Sequence, residues 1–324
     1  MEIVFFGTAE FGLPAFEQLD KNHEIELAVT QPDRPCGRGM ETKFSSIKRK
    51  AQAREVPVYQ PEDVNSLESL ARIDAVGADL FVVVAYGQKM SGKLLGLVGL
   101  PVNIHGSLLP KYRGAAPINW AIINGETRTG ITTMTMDEGL DSGPILLKRE
   151  TEIGPDETAG ELHDRLAQLA GEAILDTLMK VNRDEITPTP QQGEPSFAPK
   201  LFKEDGRIDW TRPSKEVHDL IRGTYPWPGA YSFYDGKRLK LCGSRDLGSL
   251  TDDLVDRLPL RKVALDADPG GIIDTGNYGF VVKCGNDTAV QLRNVKPQSK
   301  CQMSGLDFVN GYRVQVNEFF TRSP

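Results

Sequence analysis

Two side chains that could act together on a carbonyl group lie two residues apart in the stretch PVNIHGSLLPKYRG. Asn103 and His105 belong to a segment typical of a β-strand, and a glycine and a proline-containing loop follow it. Residues two apart on a strand point to the same side, about 6.6–6.8 Å apart along it. An amide N–H can stabilise a developing oxyanion, and an imidazole can carry a proton near neutral pH. The pair therefore suits chemistry at a carbonyl carbon.

A carboxylate that could complete this pair lies in the segment GLDSGPI. Asp141 stands there between two glycines, in a turn between two predicted strands. It could orient the imidazole or relay a proton through water. No serine or cysteine is placed as an obvious nucleophile, so we expect a substrate to supply the attacking atom. On the Asn-x-His spacing alone, a structural role for both residues is the more frequent one.

The sequence contains no metal-binding or phosphate-binding motif. The histidines lack metal-ligand spacing, and the cysteines lack CxxC pairing, so we expect no metal site and reduced thiols. The N-terminal FFGTAEFG has the glycine spacing of neither a dinucleotide fingerprint nor a P-loop. The four histidines are His23, His105, His163 and His218, and the four cysteines are Cys36, Cys242, Cys284 and Cys301.

Composition and charge give weaker indications. The 324 residues, 39% hydrophobic and 26% charged, favour two globular domains. No run of 18 apolar residues and no signal peptide is present, so we expect a cytoplasmic protein without a membrane segment. Without a heptad pattern, we expect a monomer. The net charge is −7, but residues 1–199 carry 19 basic and 29 acidic residues, and residues 200–324 carry 19 and 16. This asymmetry weakly indicates a polyanion at the C-terminal part, and ordinary solvated surfaces explain it equally well.

Strand and helix signals alternate through the first half of the chain. The run DLFVVVAYG is apolar for six residues in succession, which is typical of a central strand in a parallel sheet. The alternation predicts an α/β fold, with a doubly wound, Rossmann-like domain over residues 1–188. Ligands of such domains bind outside the carboxyl ends of the strands. Asn103 and His105 stand at one of these ends.

The pattern changes in the second half. Residues 189–206 are rich in proline and lack periodicity, which indicates an interdomain linker. Residues 207–324 contain a short predicted helix, SKEVHDLIRG, and then short strand-like pieces separated by Gly, Asn and Asp turns. This spacing predicts a smaller, OB-like β-barrel domain.

Long stretches of the chain resemble the methionyl-tRNA formyltransferases, a branch of the folate-dependent formyltransferases. The matching pieces include VFFGTAEFGLPAFEQL, TQPDRPCGRG, VNIHGSLLPKYRGAAPINWAIINGETRTGITTMTMDEGLDSGPIL and RIDWTRPSKEVHDLIRGTYPWPGAY. The resemblance implies transfer of a formyl group from 10-formyltetrahydrofolate to the α-amine of initiator methionyl-tRNA. It implies catalysis by Asn103, which holds the formyl oxygen, His105, which manages the proton, and Asp141.

The resemblance also implies the binding sites. Folate binding maps onto two segments, the strand end Val84, Ala85, Tyr86 and Gly87, and the loop Ser107, Leu108, Leu109 and Pro110. The tRNA acceptor end would meet the loop QPDRPCGRGMETKF through Arg34, Arg38 and Lys43, and the C-terminal barrel would bind tRNA. The family often has a basic pair after Gly-Arg-Gly, where this chain has Met40, Glu41 and Thr42. Fewer cations predict weaker tRNA binding with unchanged chemistry.

Three other functions fit parts of the sequence. A formyltransferase acting on a sugar amine or another small amine would keep the three catalytic residues without needing Arg38 or a basic barrel face. A hydrolase would release formate from the same folate without an amine acceptor. A noncatalytic RNA-binding protein would have no use for Asn103, His105 and Asp141.

Overall fold

The computed structural model describes residues 1–36, 41–250, 266–276, 279–321 and 323, without the side chains of 35, 36 and 41–43. The chain forms two compact units. Unit 1 comprises Met1–Pro117, Arg128–Glu152 and His163–Ala198, and unit 2 comprises Ile118–Thr127, Ile153–Leu162 and Pro199–Pro324. The domain boundaries at residues 188 and 206 stay a prediction.

Unit 1 is built on a seven-stranded sheet in the order β10-β9-β7-β6-β1-β2-β5. Its strands are β1 Glu2–Gly7, β2 Glu24–Val29, β5 Val58–Tyr59, β6 Leu80–Val84, β7 Leu100–His105, β9 Arg128–Thr135 and β10 Ile145–Glu152. Two short pairs accompany it, β3 Arg34–Cys36 with β4 Glu41–Lys43, and β8 Arg113–Gly114 with β11 Phe197–Ala198. The helices of this part of the chain are α1 Leu13–Asn22, α2 Ser46–Ala53, α3 Leu67–Asp74, α4 Gly92–Leu95, α5 Pro117–Ile123 and α6 Ala159–Asn182.

The buried sheet centre confirms the predicted doubly wound fold. Every residue of β6 is buried, as expected for a strand covered on both faces. Successive residues of β1 face opposite layers: Phe6 packs in a cluster with Ile73 of α3 and Leu94 of α4, whereas Phe5 meets Phe16 of α1 edge-on at 5.2 Å. Helices therefore pack against apolar side chains on both faces of the sheet.

The sheet is not parallel throughout. Strands β7, β6, β1, β2 and β5 are parallel, but β9 runs antiparallel to both β7 and β10. A short loop joins β9 directly to β10, and consecutive strands joined without a crossover helix pair antiparallel. The loop of this hairpin contains Asp141.

The strand order reverses between β1 and β6. From β1 the chain proceeds outward to β2 and β5, then returns to place β6 on the other side of β1. Open α/β sheets bind ligands in the crevice at such a reversal, outside the carboxyl ends of the strands. In this unit those ends are Gly7 and Val84, with His105 one strand further along.

Unit 2 contains a curled antiparallel sheet whose two ends meet. The strand order is β14-β15-β16-β13-β12-β18, with β17 paired to β16. An antiparallel bridge between Gly271 and Phe319 joins the β14 end to the β18 end, which supports the predicted barrel. The elements are β12 Ala230–Tyr234, β13 Lys237–Ser249, β14 Ile272–Asp274, β15 Phe280–Cys284, β16 Thr288–Pro297, β17 Met303–Ser304, β18 Phe320–Thr321, α7 Ser214–Gly223 and α8 Gly305–Tyr312.

Aromatic side chains fill the interior of this barrel. Phe280 stacks on Phe320 with ring centroids 5.9 Å apart and lies 5.7 Å from Phe308 of α8. Such ring pairs contribute about 0.5–1.5 kcal/mol beyond the area they bury. Because these residues come from β15, α8 and β18, the core connects the last described strand to a strand near the other end of the sheet order.

Within the described residues no helix is long and apolar enough to cross a membrane. Cys242, Cys284 and Cys301 are free thiols.

Candidate active site

The structure brings the three predicted catalytic side chains together in unit 1. Asn103 and His105 project from the same face of β7, and the carboxylate of Asp141 lies against both. Asn103 Nδ2 is 3.5 Å from Asp141 Oδ1, and His105 Nδ1 is 3.6 Å from Asp141 Oδ2. Asn103 is 9% and His105 6% exposed. Water is therefore largely excluded, which strengthens electrostatic interactions among these groups.

A backbone carbonyl fixes the tautomer of His105. Its Nε2 lies 2.9 Å from the carbonyl oxygen of Tyr112, which can only accept a hydrogen bond, so Nε2 carries a proton. In the neutral imidazole Nδ1 then holds the lone pair. Once Nδ1 gains a proton, it faces the Asp141 carboxylate as an ion pair. The geometry thus prepares Nδ1 to accept a proton.

The loop that carries Asp141 needs an unusual backbone. Asp141 itself has φ +47°, a left-handed conformation that aspartate adopts more readily than most residues. A Cβ on Gly143 would lie 1.8 Å from the carbonyl oxygen of Thr135, so only glycine fits that close approach. The GLDSG sequence thereby turns the carboxylate back toward β7.

Gly114 holds the other side of the carboxylate. Its backbone N–H donates to Asp141 Oδ2 at 2.8 Å, a charge-assisted bond of the stronger kind. Gly114 has φ +121°, and a Cβ there would lie 2.7 Å from the carbonyl oxygen of Ala198. The Arg-Gly pair that ends the loop after β7 is thus a structural support for Asp141.

The loop after β7, which contains four of the residues predicted to bind folate, is fixed by hydrogen bonds within the loop and to β9. Ser107 Oγ donates to the carbonyl of Lys111 at 2.6 Å. Thr132 of β9 donates to the carbonyl of Ser107 at 2.7 Å, and Leu109 N donates back to Thr132 Oγ1 at 3.2 Å. Ser107 and Leu109 are fully buried, so Leu108 and Pro110, both half-buried, are the side chains this loop presents outward.

The other predicted folate segment, residues 84–87, also contains both buried and exposed side chains. Val84 and Tyr86 are buried, whereas Ala85 and Gly87 are exposed and have positive φ, +46° and +94°. Burial and the nearby Tyr59 raise the pKa of the Tyr86 phenol, whose oxygen has no hydrogen-bond partner within the described part of the chain. Its side chain packs inward against Phe6. A ligand at this edge would meet Ala85 and Gly87.

Two of the three residues predicted to bind tRNA lie on the paired strands β3 and β4. Arg34 and Lys43 are register partners at the base of this hairpin, and Arg34 is exposed, 3.9 Å from Glu62. Arg38 lies outside the described residues. Asp33 anchors the hairpin to α2 through Lys48. Burial would raise the pKa of Asp33, but hydrogen bonds from Lys48 and Gln60 outweigh it and hold that pKa below its usual value.

Two family models match the chain. The formyl transferase model matches residues 1–178, and the formyl transferase C-terminal domain model matches residues 200–313. The methionyl-tRNA formyltransferase of Alkaliphilus oremlandii is 42% identical over 318 residues, which cover 97% of this chain and 98% of that protein. The chain belongs to the methionyl-tRNA formyltransferase family. The resemblance stated from the motifs is confirmed.

Solved structures share the fold of this formyltransferase. An N-formyltransferase from Helicobacter canadensis, in complex with folinic acid and dTDP-3-aminofucose, superposes with a TM-score of 0.66 at 15% identity, covering 91% of this chain and 99% of that chain. The methionyl-tRNA formyltransferase from Clostridium thermocellum superposes with a TM-score of 0.52 at 18% identity, covering 76% and 93%. At these identities the likeness concerns the fold alone.

Unit 2 of the formyltransferase carries a group of cations that sequence reasoning did not single out. Lys240 and Lys296 are directly opposite on β13 and β16, and the Arg238 guanidinium lies 3.6 Å over the ring of Tyr231. Burial, followed by the charges of Arg238, Lys296 and Lys203, lowers the pKa of Lys240. We call Lys203, Arg238, Lys240 and Lys296 the cationic surface. Its members repel one another, so an anion placed among them would be stabilised.

Sequence reasoning also missed the backbone groups that hold the formyltransferase site. Tyr112 acts through its carbonyl and Gly114 through its N–H, so the identity of neither side chain reveals the role. The Gly-x-x-x-Gly spacing around Asp141 and the glycine after Arg113 were the available signals. Within the described residues no group of three His, Cys, Asp or Glu is arranged to hold a metal ion.

Proposed function

We propose that this enzyme transfers the formyl group of 10-formyltetrahydrofolate to the α-amine of methionine esterified to initiator tRNA. The observation that carries the proposal is the meeting of Asn103, His105 and Asp141 within 3.6 Å contacts at a largely buried strand end. Attack on a formyl carbon needs an oxyanion donor and a proton acceptor, and this group of side chains contains both.

Asn103 is the oxyanion donor in this proposal. As the amine nitrogen bonds to the formyl carbon, the carbonyl electron pair moves onto the oxygen. An amide nitrogen has two N–H groups, so Asn103 can keep its contact with Asp141 and donate to that oxygen. The donor is pre-oriented by β7, and no reorganisation is needed when charge develops.

His105 Nδ1 handles the proton. A free α-amine has a pKa of about 7.7–8.0, so part of the acceptor is neutral at physiological pH. Once the new C–N bond forms, the nitrogen becomes positively charged and releases a proton, which Nδ1 accepts. Asp141 stabilises the resulting imidazolium. The same proton then returns to N10 of the folate as the C–N10 bond breaks, so His105 ends neutral.

The crevice at the strand reversal suits the folate. Ala85 and Gly87 are exposed there with positive φ, conformations that cost on the order of 1–3 kcal/mol for a non-glycine residue and cluster at functional sites. The half-buried Leu108 and Pro110 supply apolar surface beside Asn103 and His105. Apolar walls with a few fixed polar groups are typical of cofactor sites.

The tRNA would be held by two basic regions. The β3–β4 hairpin brings Arg34 opposite Lys43, with Arg38 in the same loop of the sequence. The cationic surface of unit 2 is the second. Its Lys203 and Lys296 are exposed, so their ammonium groups can meet phosphate oxygens directly. We propose further that the enzyme acts as a monomer in the cytoplasm.

We expect Lys296→Ala to weaken tRNA binding and leave the chemical step unchanged. Removing the cation that faces one phosphate lowers the slope of log affinity against log salt by about 1. KM for methionyl-tRNA should therefore rise at low salt, with kcat unchanged. The matched control is Lys21→Ala, an exposed lysine on α1 in unit 1. An unchanged salt slope in the Lys296 variant would remove this surface from tRNA binding.

The direct test is formylation of charged initiator tRNA with 10-formyltetrahydrofolate as donor. Robust transfer is expected, with no formate released when the acceptor is omitted. Transfer to an amino sugar in place of tRNA, or formate release without any amine, would each contradict the proposal. Mass detection of the formylmethionyl ester distinguishes these products.

A further inference from the structure

Gln191 makes four hydrogen bonds to oxygen and nitrogen partners around the candidate active site, and its Nε2 also lies 3.9 Å from Met134 Sδ. Its Nε2 donates to the carbonyl oxygens of Asp141 at 2.8 Å and Gly143 at 2.9 Å. Its Oε1 accepts from Nε and Nη2 of Arg113 at 3.1 and 2.7 Å. One amide thus connects the loop that carries Asp141 to the residue just before Gly114.

The chain on both sides of Gln191 is fixed to the same two loops. Thr189 exchanges backbone hydrogen bonds of 2.7 and 2.9 Å with Ile145, just past the Asp141 loop. Ser196 Oγ accepts from the Tyr112 N–H at 2.9 Å, and β11 pairs with β8. These contacts hold the chain on both sides of Gln191 against the two loops.

These contacts bear on the carboxylate itself. Asp141 has φ +47°, a conformation that must be held by its surroundings because it costs on the order of 1–3 kcal/mol. Gln191 binds the Asp141 carbonyl, and through Arg113 it steadies the backbone next to the Gly114 N–H that binds the carboxylate. Gln191 thus contributes to both supports of Asp141 through hydrogen bonds to partners other than Asn103 and His105.

We propose that Gln191 is a positioning residue for the reaction, which keeps Asp141 against His105 Nδ1 and Asn103 Nδ2. The inference rests on the proposed formyl transfer, since it assigns Gln191 a part in the proton step of that reaction. Displacement of a supporting group by about 1 Å can reduce a rate by about 10²-fold. A residue with this role affects kcat and leaves substrate affinity unchanged.

The test is Gln191→Met, which keeps the length of the side chain and removes all four hydrogen bonds. We expect kcat to fall by about 10- to 100-fold, with KM for folate and for tRNA within about twofold of wild type. The pH dependence of kcat should also shift, because Asp141 no longer stays beside His105. Gln192→Met is the matched control, the same change at the exposed neighbouring residue, and it should behave as wild type.

A second variant separates positioning from loss of fold. Gln191→Glu keeps an acceptor for Arg113 and removes the two bonds donated to the Asp141 loop. A fall in kcat and a shifted pH profile in this variant, at a wild-type melting temperature, support positioning. An unchanged kcat and pH profile in either variant overturns the proposal, as does a rate loss that merely follows a lower melting temperature.

Failure of the proposed function has a different signature. A wild-type enzyme that formylates another amine but not methionyl-tRNA would overturn the proposed acceptor. The Gln191 variants would then be compared on that amine, with the same expected fall in kcat.

Discussion

Replacing His105 with alanine is expected to lower kcat for formyl transfer by about 10²–10⁴-fold, the range that a positioned general acid–base supplies. The proton released by the attacking amine then has no acceptor beside Asp141. Folate binding should survive, because Ala85, Gly87 and the loop after β7 remain in place. Single-turnover transfer kinetics measure the first effect, and equilibrium titration with the folate measures the second.

The stability of this variant needs its own measurement. The imidazole is buried and donates to the Tyr112 carbonyl at 2.9 Å, and an acceptor left unpaired in a buried site costs about 1–3 kcal/mol. The melting temperature should therefore fall, with the protein still folded at assay temperature. His163→Ala, on α6 with a partly exposed side chain, is the control and should retain full activity. Loss of folate binding together with the rate would show that His105 only shapes the site.

Replacing Asn103 with alanine is expected to lower kcat by about 10²–10³-fold, which corresponds to about 2.7–4 kcal/mol of transition-state stabilisation. The formyl oxygen then develops negative charge without its donor. KM for the folate should change little, because the ground-state carbonyl carries only a small charge. A matched control is Asn22→Ala, an exposed asparagine at the end of α1.

Steady-state kinetics over a range of folate concentrations test this expectation. Equal falls in kcat and kcat/KM indicate an interaction made only in the transition state, whereas a raised KM with wild-type kcat indicates ordinary binding. The second pattern would argue that the Asn103 amide only holds the substrate. A nearby backbone N–H group would then be the expected oxyanion donor.

The shared orientation of Asn103 and His105, the proposed catalytic pair, was predictable from their strand, but the groups around them were not. Asn103 and His105 share a face because strand side chains alternate, a local rule that needs only sequence. The meeting with Asp141 depends on β9 turning back antiparallel beside β7, which is a matter of tertiary pairing. From the residues, Asp141 was a candidate partner of His105 because it stands in a glycine-flanked loop between two strands, and the resemblance to formyltransferases strengthened that prediction.

Gln191 shows a different limit of sequence reasoning. A proline-rich stretch without periodicity indicates a linker, because periodicity reports packing through a helix or strand face. Thr189, Gln191 and Ser196 hold their places through individual hydrogen bonds to distant loops, and such bonds leave no pattern in composition or spacing. The predicted folate segments show a related limit. A motif match covers consecutive residues, but Ala85 is exposed and its neighbour Tyr86 is buried.

The closed sheet of unit 2 has a consequence for solubility. Open strand edges present unpaired N–H and C=O groups to other chains and promote aggregation. The Gly271–Phe319 bridge gives β14 a neighbour on its outer side, and β18 does the same for β12. A chain cut before Phe319 would leave both strands as open edges beside an aromatic core. We expect such a fragment to aggregate by strand pairing. Closure of the sheet therefore protects the protein from aggregation, independently of any substrate.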